Sequence, residues 1–442
     1  MPALHAIIIG AGPAGLAAAL ALHQQSTPAS PIRVTVLELR PTIQTLGGAV
    51  NLTPLALRYL DALGAGARLR PRAAKVPHID MLSHRTGASL GRLWPDVDAV
   101  RVLRQDLVEA LVQTAREVDG GGIELRFGVR VGRIEEKGDA ASADGSVVVH
   151  FTNTTTAGNG SEETLEGDLL LGCDGIHSFV RSSLVDSGRT KTYSGRATAY
   201  GFIPVAKAGD AGIAAADGSP AVDVSTLVTA QLGSLLVTFF EPARERLYLA
   251  TVVAQAEREE GRDGRRATGE EKEALKEDFL RRFRGGGLVG LEEAVQRCEE
   301  WVSFPVYMLP PGGVWCKGRA LLLGDAAHAV RACLPTYNFH HPLANSLSTD
   351  AAAGREHRGG HRGRGAAGAG GEPARYAVGG PDAGRLRGAA AARHQEDVRR
   401  GRVPVGPGGR QELARHGGHG VVQCRVHLGH EPLEQGQLWA GR

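Results

Sequence analysis

Cysteine is scarce in this chain and follows no pattern. Only five are present, Cys173, Cys298, Cys316, Cys333 and Cys424, and none forms a CxxC or another metal-ligand spacing. That excludes a disulfide-stapled scaffold and a zinc ribbon, and it fits buried free thiols in a reducing compartment. Long apolar runs are missing too: none approaches the ~18 residues that a membrane span needs. A cleavable leader has no room, because a strand-like run starts at His5 and leads directly into a glycine motif, so a cytoplasmic location is expected. Strong charge of either sign is also absent. The net charge is +3 over 442 residues, and much of the basic excess lies in an Arg-rich C-terminal stretch. Such a balance gives no reason to expect a nucleic-acid partner.

What is present is a globular composition, 42% hydrophobic and 22% charged, on a chain long enough for two domains. The run HAIII (5–9) is continuously apolar, as suits a parallel strand buried on both faces. Pro13 stands at a helix start, and LAAALALHQQ continues that helix. RVTVLE (33–38) alternates and is β-branched, so a βαβ unit is expected. Further helices are expected at 53–63, where Thr53 caps and Gly64 stops, at 104–117, near 177–184 and at 269–284. LLLGC (169–173) and RALLL (319–323) read as further buried strands. Between about 190 and 310, runs such as SLLVTFF and RLYLATVVA read as a mostly antiparallel sheet.

Chemistry enters with Gly10-Ala11-Gly12-Pro13-Ala14-Gly15. The first glycine permits a tight turn, the second lets backbone approach a pyrophosphate, and the third lets helix and strand pack closely. The helix N-terminus then faces the phosphates. Glu38, at the end of the second strand, is placed to accept from ribose hydroxyls. This unit alone leaves NAD, NADP and FAD open.

Two further motifs narrow the choice. One, the DG motif, is Asp168-Leu-Leu-Leu-Gly172-Cys-Asp174-Gly175-Ile-His-Ser178-Phe-Val-Arg181; the other, the GD motif, is Gly324-Asp325-Ala-Ala-His328. With the glycine motif they make the chain resemble the class A FAD-dependent aromatic monooxygenases, the family of salicylate and 4-hydroxybenzoate hydroxylases, over residues 5–330. The resemblance implies an α/β fold: a Rossmann-like FAD-binding domain with an interleaved, mostly antiparallel substrate domain. It places the FAD-binding domain at 1–189 with β insertions, the substrate domain at 190–312, and a return to the FAD-binding domain at 313–330. It implies that Asp325 binds the ribityl chain or ribose of FAD, that Asp174, Gly175 and Arg181 support FAD and NAD(P)H handling, and that Arg104 reaches the pyrophosphate. Gly48 and Ala49 would run beside the isoalloxazine ring, where small residues allow close approach. Gly10, Gly12, Ala14, Gly15, Glu38, Arg40 and Gly324 complete the implied FAD contacts.

The implied reaction uses NAD(P)H as co-substrate to reduce FAD. Oxygen then adds to give a C4a-hydroperoxide that hydroxylates a small phenol or aromatic acid. No base is assigned; Tyr200, Tyr307 and His328 are candidates, each with an ordinary structural reading as well. An epoxidase, reductase or halogenase on the same scaffold, or an FAD-binding product without activity, stays open.

Beyond about 330 the pattern fails. Nine of the sixteen histidines lie there, and from 350 onward Gly, Ala, Arg and His follow no sustained period. Such a stretch cannot bury enough apolar area to offset its ordering entropy, so 331–442 is expected to be a disordered tail. Its scarcity of aromatics argues against an RNA-binding role. We hypothesise a retained intron. Val330-Arg331 can be encoded GTACGT, a donor; Ala344-Asn345 GCTAAC, a branch site; Thr349-Asp350 ACAGAC, an acceptor. The segment's length is not divisible by three. Reading from Asp350 to Gly370 one base later permits TPPQGESTAAAIEDAALLARA, which supplies the Pro-Pro turn and Glu-Asp helix that the family has after its GD motif. The chain as written is therefore expected to bind FAD weakly and hydroxylate little. Sequencing transcripts across codons 325–372 should reveal a shorter form with the restored frame; genomic DNA lacking these three signals refutes the hypothesis.

Overall fold

A computed structural model describes residues 3–329, apart from 44–47, 96, 119–120, 139–144, 155–160, 232 and 258–268. The suspected intron and the expected tail therefore lie outside the described residues, as do Gly47, Cys333 and Cys424.

The strand Leu4–Ile9 is buried from His5 onward, as three consecutive isoleucines require. Its two faces enter different cores. Ala6 and Ile8 pack with Leu16, Leu20 and Leu111 of the helices Pro13–Gln24 and Arg104–Arg116. Ile7 and Ile9 pack with Val147, Val149 and Phe151, which lie on the middle strand of a three-stranded antiparallel sheet. A strand covered on both faces has no room for polar alternation, which is why the run reads as continuously apolar.

This strand lies inside a six-stranded sheet. In spatial order the strands are Cys316–Lys317, Ala320–Leu322, Leu169–Gly172, Leu4–Ile9, Ile32–Glu38 and Ile123–Phe127. All neighbours pair in parallel except the first two. The register is level at the carboxyl edge: Ile9 pairs with both Leu37 and Gly172, Glu38 with Phe127, and Gly172 with Leu322. Each strand therefore releases its next residue into the same edge crevice.

A second, seven-stranded sheet holds Val302–Met308, Thr192–Pro204, Arg246–Ala254, Gly233–Phe239, Ser225–Ala230, Ile79–Ser83 and Ser89–Leu93 in spatial order. Its last two strands come from an early part of the chain, and Ile79–Ser83 pairs with Ser225–Ala230 in parallel. One face is covered by the helix Glu270–Phe283, which inserts Leu275, Phe279 and Phe283 at a helical period into a core with Leu235, Val237 and Trp301.

Most expected elements appear within a residue or two of their bounds. Thr53 caps the helix Pro54–Ala62 by accepting from Ala56 N–H, and Gly64 follows at φ +83°. The helix expected near 177–184 is different in kind: it passes into a π-helical turn, Arg181–Val185, closed by Asp186 N–H to Arg181 C=O at 2.9 Å. Cys173 and Cys298 are buried free thiols, and burial pushes both up to about 12. Cys316 is only half-buried.

Two glycines of the first motif should behave oppositely. A Cβ on Gly15 would stand 2.0 Å from Gly10 C=O, whereas one on Gly12 meets nothing within 4 Å. Gly15→Ala should therefore destabilise the chain by about 2 kcal/mol or more through overpacking. Gly12→Ala should stay within about 1 kcal/mol, the scale of a helix-cap change. Thermal unfolding of the FAD-free chain measures both.

Candidate functional site

Each loop at the carboxyl edge is fixed by a named contact. Gly10 turns the chain at φ +104°, and a Cβ there would stand 2.4 Å from Cys173 C=O and 3.1 Å from Asp174 Cα. The DG segment therefore lies directly against the glycine motif. Gly324 also lies against the motif: its Cβ would be 3.0 Å from that of Ala14. Glu38 completes the set, its two carboxylate oxygens accepting from Ala11 N–H at 2.8 Å and Arg40 N–H at 2.9 Å. Glycine motif, Glu38, DG segment and GD segment thus converge at one edge.

A cleft of about 160 Å³, open to solvent, lies there; Gly12, Glu38, Arg40, Ile43, Arg104 and Phe127 are among its walls. Three features fit a diphosphate-bearing dinucleotide. Gly12 has φ −76°, which any residue adopts, and its missing side chain faces open space. No neighbour among the described residues explains that glycine; close approach of a ligand to its backbone does. The helix Pro13–Gln24 begins there with no side-chain cap and no acidic residue in its first turn, leaving its positive end to an anion. Arg104 is exposed beside the cleft, and no ion pair among the described residues engages it or Arg40. Arg104 N–H donates to Gly48 C=O at 3.0 Å, so the cation is anchored by its own backbone.

Asp174 and Arg181 serve the loops instead of lining this cleft. The Asp174 carboxylate accepts from Phe179 N–H at 2.6 Å and Val180 N–H at 3.2 Å, and burial pushes its acid up, against the hydrogen bonds it accepts. Arg181 is buried and donates to Ile176 C=O at 2.6 Å and Ala326 C=O at 2.9 Å, joining the DG and GD segments. Gly175 turns at φ +77°. Asp325 is exposed at the start of a four-residue helix, Asp325–His328.

The second sheet turns an aromatic face toward this region. Pairing places Tyr200, Phe202, Tyr248 and Phe304 on one side. Their rings meet at 5.2 to 6.4 Å, two of the four contacts edge to face, as aromatic quadrupoles favour, and two tilted. Tyr248 reaches the strand Ala49–Leu52: Ala49 N–H donates to its hydroxyl, and a Cβ on Gly48 would lie 2.1 Å from that oxygen. Burial pushes Tyr248 well above the usual phenol range. Gly48 is therefore small to admit Tyr248. Beside it, Arg101 is fully buried among neutral partners. It donates to Asn51 Oδ1 at 2.9 Å and Ser225 Oγ at 2.7 Å and also to Thr238, and burial pushes it down to about 10.

Of the candidate bases, Tyr200 sits within the aromatic face. Tyr307 donates to Glu257 at 3.0 Å, beneath Lys191, and His328 is exposed against Trp315. Sequence reasoning missed Phe127, Tyr248 and Arg101. Phe127 had a signal, since it ends the strand paired beside Glu38. Tyr248 and Arg101 had none, because their partners lie far along the chain.

The family model described as FAD binding domain matches residues 3–333. Salicylate hydroxylase of Pseudomonas putida is 29% identical over 337 residues, covering 73% of this chain and 71% of that protein. Phenazine 1,6-dicarboxylic acid hydroxylase PhzS of Lysobacter antibioticus is 28% identical over 344 residues, covering 73% and 75%. In fold, the chain is similar to Klebsiella pneumoniae HpxO complexed with FAD and uric acid, with TM-score 0.55, 22% identity and coverage of 74% of each chain. No helix among the described residues is long and apolar enough to cross a membrane. With an edge cleft fit for a dinucleotide and these relatives, the chain belongs to the FAD binding domain family and is an FAD-dependent monooxygenase of the aromatic hydroxylase type.

Proposed function

We propose that the chain uses NAD(P)H and O2 to hydroxylate a small phenol or aromatic acid, with FAD held along the carboxyl edge and the substrate against the aromatic face. The observation that carries this reading is the level register of the six-stranded sheet. It puts the ends of the strands that lead to Glu38 and to Asp325 on one edge, three strand spacings apart, roughly 14 Å. One extended dinucleotide spans that distance.

In this reading Gly10, Gly12, Ala14 and Gly15 hold the pyrophosphate close to the helix N-terminus, with Arg104 and Arg40 balancing its charge. Glu38 binds one sugar, and Asp325, presented by Gly324, binds the sugar alcohol at the other end. Asp174, Gly175 and Arg181 keep the loop between them in shape. Residues 1–189 and 313–330 make up the cofactor domain, and 190–312, joined by the strands within 79–93, the substrate domain. Bound FAD supplies the redox chemistry that activates O2. The protein's part is position and exclusion of water: Ala49 marks where the cofactor segment meets the aromatic face, and Tyr200, Phe202, Tyr248 and Phe304 offer an apolar, ring-shaped surface. Relatives named for salicylate, 3-hydroxybenzoate and a phenazine dicarboxylic acid support an aromatic acid as the substrate class.

Purified protein carrying the restored reading frame after Ala329 should show a flavin spectrum, and an aromatic acid should accelerate its NAD(P)H oxidation with one ¹⁸O atom from ¹⁸O2 in the product. NAD(P)H oxidation that no aromatic compound stimulates, with no labelled product, rules the hydroxylase reading out. Gly12→Ala should weaken FAD binding at least about tenfold while the FAD-free chain melts as before. Arg104→Met should weaken it about 10- to 100-fold, the worth of one hydrogen bond to a charged group. Flavin fluorescence titration reads both.

A further inference from the structure

The helix that carries Asp325 cannot hold itself in place. It has four residues, Asp325–His328, and its bonds from Ala327 and His328 N–H both end on Gly324 C=O. Its remaining carbonyls need partners from elsewhere. Two of them, and the carbonyl of Ala329 just beyond, are met from outside. Arg181 donates to Ala326 C=O at 2.9 Å, Arg189 Nη1 to Ala327 C=O at 2.7 Å, and Leu309 N–H to Ala329 C=O at 2.9 Å. Two cations thus grip the carbonyl end of the helix, where its dipole favours positive charge.

Arg189 does more than close the helix. Its Nε and Nη2 both donate to Pro310 C=O, at 3.1 and 2.6 Å. Pro310 lies two residues beyond the strand Val302–Met308, the strand that bears Phe304 of the aromatic face. Gly313 makes room for this guanidinium, since a Cβ there would stand 2.4 Å from Arg189 Cδ. The π-helical turn sets the approach: Asp186, which closes it, accepts from Arg189 N–H at 3.2 Å and, through its carboxylate, from Val314 N–H at 2.9 Å. The stretch from Arg181 to Arg189 is therefore a bracket between the exit of the substrate sheet and the GD helix.

We propose that Arg189 is a positioning residue for the cofactor, holding Asp325 in its binding orientation through the carbonyls of Ala327 and Pro310. This rests on the reading that Asp325 contacts FAD. Arg189 itself touches backbone alone among these contacts, so its effect must pass through the helix.

The test uses the full 442-residue chain. Without FAD, hydrogen–deuterium exchange in peptides covering 320–329 should rise about tenfold in Arg189→Met, with 4–9 unchanged. Flavin titration should show FAD affinity falling about fivefold or more. Arg189→Lys, which keeps the charge but not the fork, should fall between the two. In an Asp325→Asn background, Arg189→Met should cost less than about twofold further, because both changes remove one function. Unchanged exchange at 320–329, or an equal rise at 4–9, overturns the proposal. Fully additive losses of FAD affinity also overturn it, since Arg189 would then act by another route. If Asp325→Asn alone leaves FAD affinity intact, the assignment of Asp325 falls first, and the cofactor role of Arg189 falls with it.

Discussion

The close approach of the helix Pro13–Gln24 to the strand Leu4–Ile9 is the contact on which the rest depends. Gly15 stands so near Gly10 that no side chain fits between them. Only that distance lets the helix start point along the strand end, and only then does the crevice at the carboxyl edge open beside Gly12. Every other loop is built against this turn: Cys173 and Asp174 against Gly10, Gly324 against Ala14, and Glu38 through Ala11. Polar chemistry can collect there because the apolar strands beneath are sealed by two separate cores.

Charge is handled in two ways. Where a ligand is expected, at Arg40 and Arg104, cations are left at the wall of an open cleft. Where loops or sheets must be joined, arginines donate to neutral groups: Arg181 and Arg189 to backbone carbonyls, Arg101 to an amide and two hydroxyls. A guanidinium suits this work because its fork of donors reaches two chain segments at once. Burial without a counter-charge has a cost, visible in the downward shift of Arg101. At Arg101 that cost accompanies a junction: Asn51 of the strand Ala49–Leu52 meets Ser225 and Thr238 of the seven-stranded sheet around one guanidinium.

Much was readable beforehand for local reasons. The βαβ unit announces itself through an unbroken apolar run, a proline at the first helical position and alternation in 33–38. Thr53 and Gly64 bound their helix by capping and by positive φ, both properties of single residues. What escaped was relational. Gly48 is small for Tyr248, two hundred residues later in the chain. The two strands within 79–93 belong to a sheet whose other members start at 192. Arg189 gains its importance from Ala327 and Pro310.

By itself the sequence determined which backbone stretches could bend, cap or enter a core, because these depend on a residue and its near neighbours. Tertiary structure alone decided that Glu38 and Asp325 share an edge, that the aromatic rings of the second sheet share a face, and that two arginines hold one short helix. Those outcomes are set by strand order and register, and pairing between distant segments leaves no local period in the chain to be read.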